Sequence, residues 1–325
     1  MKKLFTLLVL FTNFTFSYAQ EKIYSLEDDV NWKANNMNCN LVSNLQSQYY
    51  PYSYEDDDAV KQCKIEQYML KAILKDDLKT FKQITSDSNG MRIKENFTLW
   101  NSYSSYIALE SAHIAVITNS RKIFDYIMDD YKNQSYRDDY VEGSKKIFSY
   151  SYEYGLNGID PDEFDHEFTL VGLCMVYNRP EMLKKLVVSV DPLSLTLAND
   201  MENEFYIGKF ATPEHYDIYI KALKDNELTT SFTYTDIFEE AVRENNINLI
   251  EHMVKSKHIE LNAAQKYSDN TYGVDMLYHA LLHKNMDVAA KLIELGTLIS
   301  QKEVDRIAEL KEQGLWKKEL PKATK

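Results

Sequence analysis

Apolar residues near the C-terminus recur at helical spacing on both sides of a short polar turn. The apolar positions are Leu277, Ala280, Val288, Leu292 and Leu295. This spacing places them on one face of each of two short helices, which can pack together across His283-Lys284-Asn285. Gly296 follows at the position where a residue with left-handed backbone ends a helix. The pattern predicts a helical hairpin from Met276 to Gly296.

The same order of a small residue, a turn and paired apolar residues recurs upstream. The small-residue positions are Ala72, Ala115, Cys174, Gly208, Ala241 and Ala280, and turn residues of four copies are Asp76, Asn119, Asn178 and Asn245. Cys174, Gly208 and Ala241 are 34 and 33 residues apart. Wider spacings elsewhere indicate insertions in the connecting loops. The sequence therefore contains about six copies of one helical unit.

These copies resemble ankyrin repeats, which have a period of about 33 residues. In the last copy, Asp275-Met276-Leu277-Tyr278 stands where the family has Thr-Pro-Leu-His, and Ala280 takes its small-residue position. The resemblance covers residues 65–298 and implies an all-α solenoid of about six degenerate repeats. Such arrays bind other proteins and need atypical ends. We therefore expect an N-terminal cap at 20–64 and a C-terminal capping helix and tail at 299–325, opened by the capping-box pair Ser300 and Glu303.

The first 19 residues have the pattern of a secretory signal peptide. Lys2 and Lys3 precede an apolar run from Leu4 to Phe16, and Ser17-Tyr18-Ala19 supplies small residues before Gln20. The run is shorter than the roughly 20 residues that a membrane-spanning helix needs. We expect cleavage after Ala19, a secreted or periplasmic location, and no membrane span in the mature chain.

The chain is acidic, which bears on its partners. Loss of Lys2 and Lys3 with the signal peptide changes the formal charge from -13 to -15. Lys and Arg form no compact patch along the sequence, so nucleic acid is not an expected partner. The sequence predicts a protein partner that is basic or neutral, although the acidic residues could equally serve solubility alone.

Three cysteines have different expected roles. Cys174 occupies a small buried position of its repeat and is predicted to be a structural thiol. Cys39 and Cys63 lie in the N-terminal segment, where an oxidising compartment would allow them to form a disulfide or leave them as free thiols.

An insert at residues 131–165 carries alternating aromatic residues. Tyr150, Tyr152 and Tyr154 alternate with polar residues at strand spacing, with glycines beyond them. Tyr offers a large contact area with a polar tip, which is typical of binding loops. These three residues are the main binding candidates, and packing of the rings on the helices is the alternative. Weaker candidates from the other loops and first helices are Tyr103, Tyr106, Tyr272 and Tyr278.

The sequence contains no recognisable catalytic or cofactor motif. A zinc-protease helix, a nucleophile elbow, a phosphate-binding loop and a dinucleotide fingerprint are all missing. Three groups of potential metal ligands each lack a complete ligand pattern: residues 55–58, Asp160 with Asp162 and Asp165, and His279 with His283. We predict no metal, no cofactor and no enzymatic activity.

These features favour an exported, non-enzymatic scaffold that binds proteins. One alternative is an immunity or inhibitor protein whose negative charge directs it to a basic toxin or enzyme in the cell envelope. A structural role in organising envelope components is a second alternative. A hydrolase built on residues 160–167 is the least favoured.

Overall fold

The chain divides into two compact units, Met1–Val190 and Asp191–Lys325, where the repeat pattern predicts one array. The computed structural model describes residues 27–28, 30–36, 38–39, 56–86, 97–100, 106–109, 111–134, 149–150, 152–153, 168–190, 206–229, 231–263 and 272–324. The predicted signal peptide lies outside these residues. Helices dominate both units, in agreement with the predicted all-α class, and the described residues of the first unit also form five short strands.

The first unit contains three successive helix pairs. They are α1 (Asp56–Leu74) with α2 (Leu78–Ser86), α3 (Ser111–Ile117) with α4 (Arg121–Gln134), and α5 (Leu170–Val176) with α6 (Pro180–Ser189). The first helices pack on one another in the order α1, α3, α5, and the second helices do so in the order α2, α4, α6. The unit therefore has two helical layers. The predicted boundary between the cap and the array, at residues 64 and 65, falls inside α1.

Short strands occupy the connections of the first unit. They are β1 (Phe97–Trp100), β2 (Tyr106–Leu109), β3 (Ser149–Tyr150), β4 (Tyr152–Glu153) and β5 (Phe168–Thr169). Antiparallel pairing gives one sheet in the order β1-β2-β4 and a second, two-stranded sheet of β3 and β5. The alternating pattern around Tyr150 and Tyr152 correctly predicted extended backbone.

The second unit also consists mainly of paired helices. Its helices are α7 (Pro213–Asp225), α8 (Ser231–Arg243), α9 (Ile247–Lys255), α10 (Tyr272–Leu282), α11 (Met286–Glu294) and α12 (Gln301–Glu312), and residues 206–210 are also helical. Helix α8 pairs with α9, and α10 pairs with α11. Helix α8 also packs on α10, while α9 packs on both α7 and α11. The predicted hairpin from Met276 to Gly296 is confirmed as α10 and α11.

One turn geometry closes five of the helix pairs. The second residue after the first helix has a left-handed backbone in each pair, and these residues are Asp76, Asn119, Asn178, Asn245 and Lys284. The next residue, immediately before the second helix begins, donates its backbone N–H to the carbonyl of the small residue in the first helix. The bond from Asn246 N to Ala241 O, 2.9 Å long, is one example, and Asn285 N to Ala280 O, at 2.8 Å, is another. This arrangement satisfies carbonyls that the helix end leaves without partners.

The C-terminus packs on the rest of the second unit through α12 and the residues after it. Ser300 and Glu303 form the predicted capping box, and Ile307 and Leu310 are buried. Trp316 is buried, whereas Leu315 is exposed. The tail beyond α12 is also held in place, because Thr324 exchanges two hydrogen bonds of 2.8 Å with the Ile299 backbone.

Candidate functional site

Six residues on α8 and α10 form an exposed surface in the second unit. They are Asp236, Glu239 and Arg243 on α8, and Tyr278, His279 and Leu282 on α10. We call this surface the α8/α10 face. Its foundation is apolar and fully buried, with Phe238 and Ala241 on α8 and Leu277 and Ala280 on α10. The exposed groups are thus presented by two helices that the core holds in place.

The acidic part of the α8/α10 face holds carboxyl groups in an unusual electrostatic setting. Desolvation raises the pKa of Glu239, and the nearby Asp236 carboxylate raises it further, while His279 and Arg243 act in the opposite direction. Desolvation also raises the pKa of Asp236. Carboxylates that are costly to hold charged in the free protein gain stability when a cation approaches. This side of the face favours a positively charged group.

The apolar part of the face consists of Tyr278 and Leu282, one helical turn apart on α10. Tyr278 is 38% exposed and Leu282 is 48% exposed. The guanidinium of Arg306, on α12, lies 5.0 Å from the centre of the Tyr278 ring. The His279 ring meets the Tyr278 ring edge-on at 6.0 Å. An exposed aromatic ring beside an exposed Leu is the kind of anchor that dominates the energy of protein interfaces.

The structure separates the predicted tyrosines. Tyr278 lies on the exposed face, as proposed, but Tyr272 does not. Tyr272 is buried, and its hydroxyl donates to the Thr235 carbonyl at 3.1 Å. Burial and the Glu239 carboxylate both raise the pKa of Tyr272. Its ring packs against Phe238 at 5.8 Å, so this side chain joins α10 to α8 and is not available to a partner.

The remaining tyrosine candidates belong to the inserts of the first unit. Tyr106 lies on β2, Tyr150 on β3 and Tyr152 on β4. Pairing of β2 with β4 sets Tyr106 opposite Glu153 and Ile107 opposite Tyr152, so two candidates share one sheet. Tyr103 and Tyr154 lie outside the described residues, as do Asp160, Asp162 and Asp165.

The N-terminal segment is attached to α1 by a covalent bond and an ion pair. Cys39 and Cys63, the predicted disulfide candidates, are joined in a disulfide with their Cα atoms 5.6 Å apart. Lys33 Nζ lies 2.5 Å from Glu66 Oε2, with both side chains largely buried. Gln67 Nε2 also donates to the Lys33 carbonyl at 3.1 Å. Cys174 is a free, buried thiol, and burial raises its pKa.

A polar cluster in the second unit was not predicted. His258 Nδ1 lies 2.8 Å from the Tyr216 hydroxyl, and His258 Nε2 lies 3.0 Å from Lys224 Nζ. The ring of Tyr234 stacks on His258 at 5.0 Å. Tyr216 is fully buried, so the cluster links α7 and α8 to the turn after α9. His258 lies well beyond the other three residues in the sequence, and nothing in the spacing indicates that it contacts them.

Basic residues do form a patch, on helix α1, contrary to the prediction from the sequence. Helix α1 aligns Lys61, Lys64, Lys71 and Lys75 on one side, although other residues separate them in the sequence. Their steps of three, seven and four residues are compatible with one helical face, and that spacing is the signal by which they could have been found.

The described residues contain neither a cluster of metal ligands nor a membrane-spanning helix. No group of His, Cys, Asp or Glu in that part of the chain is arranged to hold a metal ion. Among the helices described, none has the length and apolar character that crossing a bilayer requires. Comparisons with protein-family models, curated proteins and solved structures found no match for this chain.

Proposed function

We propose that this protein is a non-enzymatic binding scaffold built from ankyrin-like helix pairs, and that the α8/α10 face contacts its protein partner. The observation that carries the proposal is the pair of exposed apolar side chains, Tyr278 and Leu282, beside the carboxylates of Asp236 and Glu239. An apolar anchor with charged groups at its rim is the usual composition of a protein interface.

The recurrent hydrogen bonds between helix pairs support an ankyrin-like repeat. In the second unit, Asn285 Nδ2 donates to the carbonyls of Val242, at 3.1 Å, and Arg243, at 2.9 Å. In the first unit, Arg179 donates from Nε to the Val116 carbonyl at 3.3 Å. The donor follows the left-handed residue in both cases, and the acceptors end the first helix of the preceding pair. Equivalent contacts between successive pairs are what a stacked repeat requires.

Export fits the same proposal. The disulfide between Cys39 and Cys63 supports an oxidising compartment, where such bonds persist. Together with the predicted signal peptide, it favours a secreted or periplasmic protein. The tyrosines at 150, 152 and 154 form a second candidate contact in this scheme.

An inhibitor or immunity protein directed at a basic toxin or enzyme is the second candidate function. The raised pKa values of Asp236 and Glu239 favour it, because a basic residue of the partner would relieve the unfavourable charge of these carboxylates. Such a complex would form faster at low salt, since opposite charges steer the encounter.

A capture experiment with matched variants tests the proposal. Residues 20–325 are immobilised and exposed to an extract of the source cells, as the unaltered chain and as Tyr278→Ala/Leu282→Ala. The control is Leu320→Ala, which also removes an exposed apolar side chain, 43% accessible. A specific partner should bind the unaltered chain and the control, and its retention by the double variant should fall about tenfold or more. Equal retention by all three proteins would refute a role for this face.

The inhibitor hypothesis has its own comparison. Asp236→Asn/Glu239→Gln keeps the shape of both side chains and removes their charge. If the protein is an inhibitor, this variant should bind its partner more slowly, and its association rate should depend less on salt. If the protein is a general scaffold, neither the association rate nor its salt dependence should change. Association rates of the captured partner, measured at two salt concentrations, separate the two functions.

A further inference from the structure

Four lysines and a tyrosine form a continuous stripe along α1. Lys61, Lys64, Tyr68, Lys71 and Lys75 follow one another at alternating steps of three and four residues. This is the spacing that keeps side chains on one side of a helix. Four of the five are exposed and Lys71 is half-buried. We call these five residues the lysine stripe.

The lysines of the stripe differ from seven other described lysines, because they form no ion pair with a described residue. Seven lysines elsewhere form ion pairs with Asp or Glu: Lys33, Lys184, Lys185, Lys209, Lys221, Lys255 and Lys291. No lysine of the stripe has an ion pair with a described residue. The stripe therefore leaves a row of positive charge without a carboxylate partner in that part of the chain.

Two carboxylates at the end of α1 are already engaged elsewhere. Asp76 accepts hydrogen bonds from the backbone N–H groups of Lys122, at 3.2 Å, and Ile123, at 3.1 Å. Asp77 accepts from the Thr80 hydroxyl at 2.6 Å, and this bond lowers the pKa of Asp77. Both groups cap the starts of neighbouring helices. Turning either toward Lys75 would sacrifice those bonds.

The stripe contains one exposed aromatic ring, and a second exposed ring lies on the segment that is attached to α1. Tyr68, in the middle of the stripe, is 64% exposed, and Trp32 on the helical segment 30–36 is 52% exposed. Their chain neighbours Gln67 and Lys33 are joined by a hydrogen bond of 3.1 Å. The Cys39–Cys63 disulfide adds a covalent link between the segment and α1. Exposed Tyr and Trp on a fixed surface supply contact area with little loss of entropy.

We propose that the lysine stripe is a docking surface for an acidic segment of a partner protein. The stripe spans 15 residues from Lys61 to Lys75, and the 14 steps between them correspond to about 21 Å of helix. A partner segment of this length with carboxylates along one side would match its charges, and the rings would contact the apolar side chains between them. This proposal concerns the first unit and does not depend on the α8/α10 face.

An acidic protein segment fits this protein better than an extended polyanion does. The chain as a whole has a net charge of -13, so DNA or an anionic membrane meets repulsion from the surrounding surface. A short segment places its charges only along the stripe, and salt screens more distant charges over about 10 Å. Outside this acidic segment, the partner protein can be neutral or basic.

The test uses a fluorescein-labelled 14-residue peptide in which Glu recurs at helical spacing between Leu and Ala residues. Its binding to residues 20–325 is measured by fluorescence anisotropy. Lys64→Glu/Lys71→Glu should weaken binding at least about tenfold, and Tyr68→Ala should weaken it about threefold. The control Lys317→Glu/Lys318→Glu makes the same change of charge at two exposed sites of the second unit and should leave binding unchanged.

Three outcomes would overturn the proposal. The first is no binding of the peptide at about 50 mM salt, where charge pairing is strongest. The second is an equal loss in the stripe variant and the control, which would show that only net charge matters. The third is stripe-dependent binding of a duplex DNA or of phosphatidylserine vesicles in place of the peptide. Circular dichroism of each variant confirms that the helices remain folded.

Discussion

The side-chain amide of Asn246 joins two helices, since its Nδ2 donates to the Gly208 carbonyl at 2.9 Å. The same group donates to the Ala211 carbonyl at 3.0 Å, and its Oδ1 accepts from Leu249 N at 3.3 Å. Asn246 therefore begins α9 and also holds the end of the preceding helical segment. A single polar side chain satisfies backbone groups at two helix ends, where partners are otherwise lacking.

Replacing Asn246 should cost more stability than replacing Asn285. Asn246→Ala removes both the helix cap and the donor, and we expect a loss of about 2 kcal/mol in the free energy of unfolding. Asn285 makes the bonds to the preceding pair without capping α11, so Asn285→Ala should cost about 1 kcal/mol. Asn246→Asp, which keeps the cap and removes the donor, should lie between them. Urea unfolding followed by circular dichroism measures all three, and an Asn246→Ala variant as stable as the unaltered chain would contradict this role.

The ion pair between Lys33 and Glu66 should depend on both of its members. Lys33→Met leaves the Glu66 carboxylate in a largely buried position without its cation, and we expect a loss of about 3 kcal/mol. Lys33→Met/Glu66→Leu removes the stranded charge and should recover most of that loss. Unfolding in urea of the unaltered chain, the two single variants and the double variant completes the double-mutant cycle. If the double variant is as unstable as the single one, the pair does not act as described.

Buried His215 should make the protein sensitive to acid. Burial lowers the pKa of His215, although Glu214 opposes the shift, and the Thr212 N–H donates to its Nδ1 at 3.3 Å. Below about pH 6.5 the unfolded chain takes up a proton that the folded chain resists, so stability is lost as the pH falls from there to the lower folded pKa.

His215→Gln isolates this contribution. Gln can complete the same capping box with Thr212 and does not titrate. The loss of unfolding free energy between pH 7.5 and pH 5.5 should therefore be smaller in the variant. Part of the loss should remain, because desolvation and Lys224 also lower the pKa of His258. An identical pH dependence in both proteins would exclude His215 as its source.

Gly208 should not tolerate even a methyl group. A Cβ at this position would lie 2.9 Å from the Ala241 backbone nitrogen and still closer to the Glu240 Cβ, inside normal contact distance. We expect Gly208→Ala to cost about 2 kcal/mol or more, since the close neighbours include backbone atoms that cannot move aside. Ala241→Gly, at the corresponding position of the next pair, should cost only about 1 kcal/mol. Thermal unfolding of the two variants measures both costs. If Gly208→Ala is the less destabilising of the two, the close contact at Gly208 does not restrict the side chain as described.

The helix pairs could be predicted because their determinants are local. Asn119, Asn178 and Asn245 tolerate left-handed backbone, and all three adopt it. Ala115, Cys174 and Ala241 are small and buried at the predicted positions. Membership of the ankyrin family stays a prediction, because the structure shows helix pairs and their turns and the comparisons found no related protein.

The functional residues were harder to predict because their roles depend on tertiary packing. Tyr272 and Tyr278 are on one helix and are chemically identical, yet α8 covers the first and leaves the second exposed. The contact between His258 and Lys224 joins residues 34 apart, and no sequence spacing marks it. The lysines of α1 are separated by other residues in the sequence, and only the helix aligns their charges.

Photo-crosslinking from the α8/α10 face tests the central claim most directly. The photoreactive residue p-benzoylphenylalanine is placed at Tyr278 in one protein and at Leu320 in another, and both are irradiated in an extract of the source cells. A binding scaffold that uses this face should give a discrete adduct from position 278, absent from position 320 and diminished when unlabelled protein competes. Identical adducts from both positions, or none from position 278, would contradict the claim that this face contacts a partner.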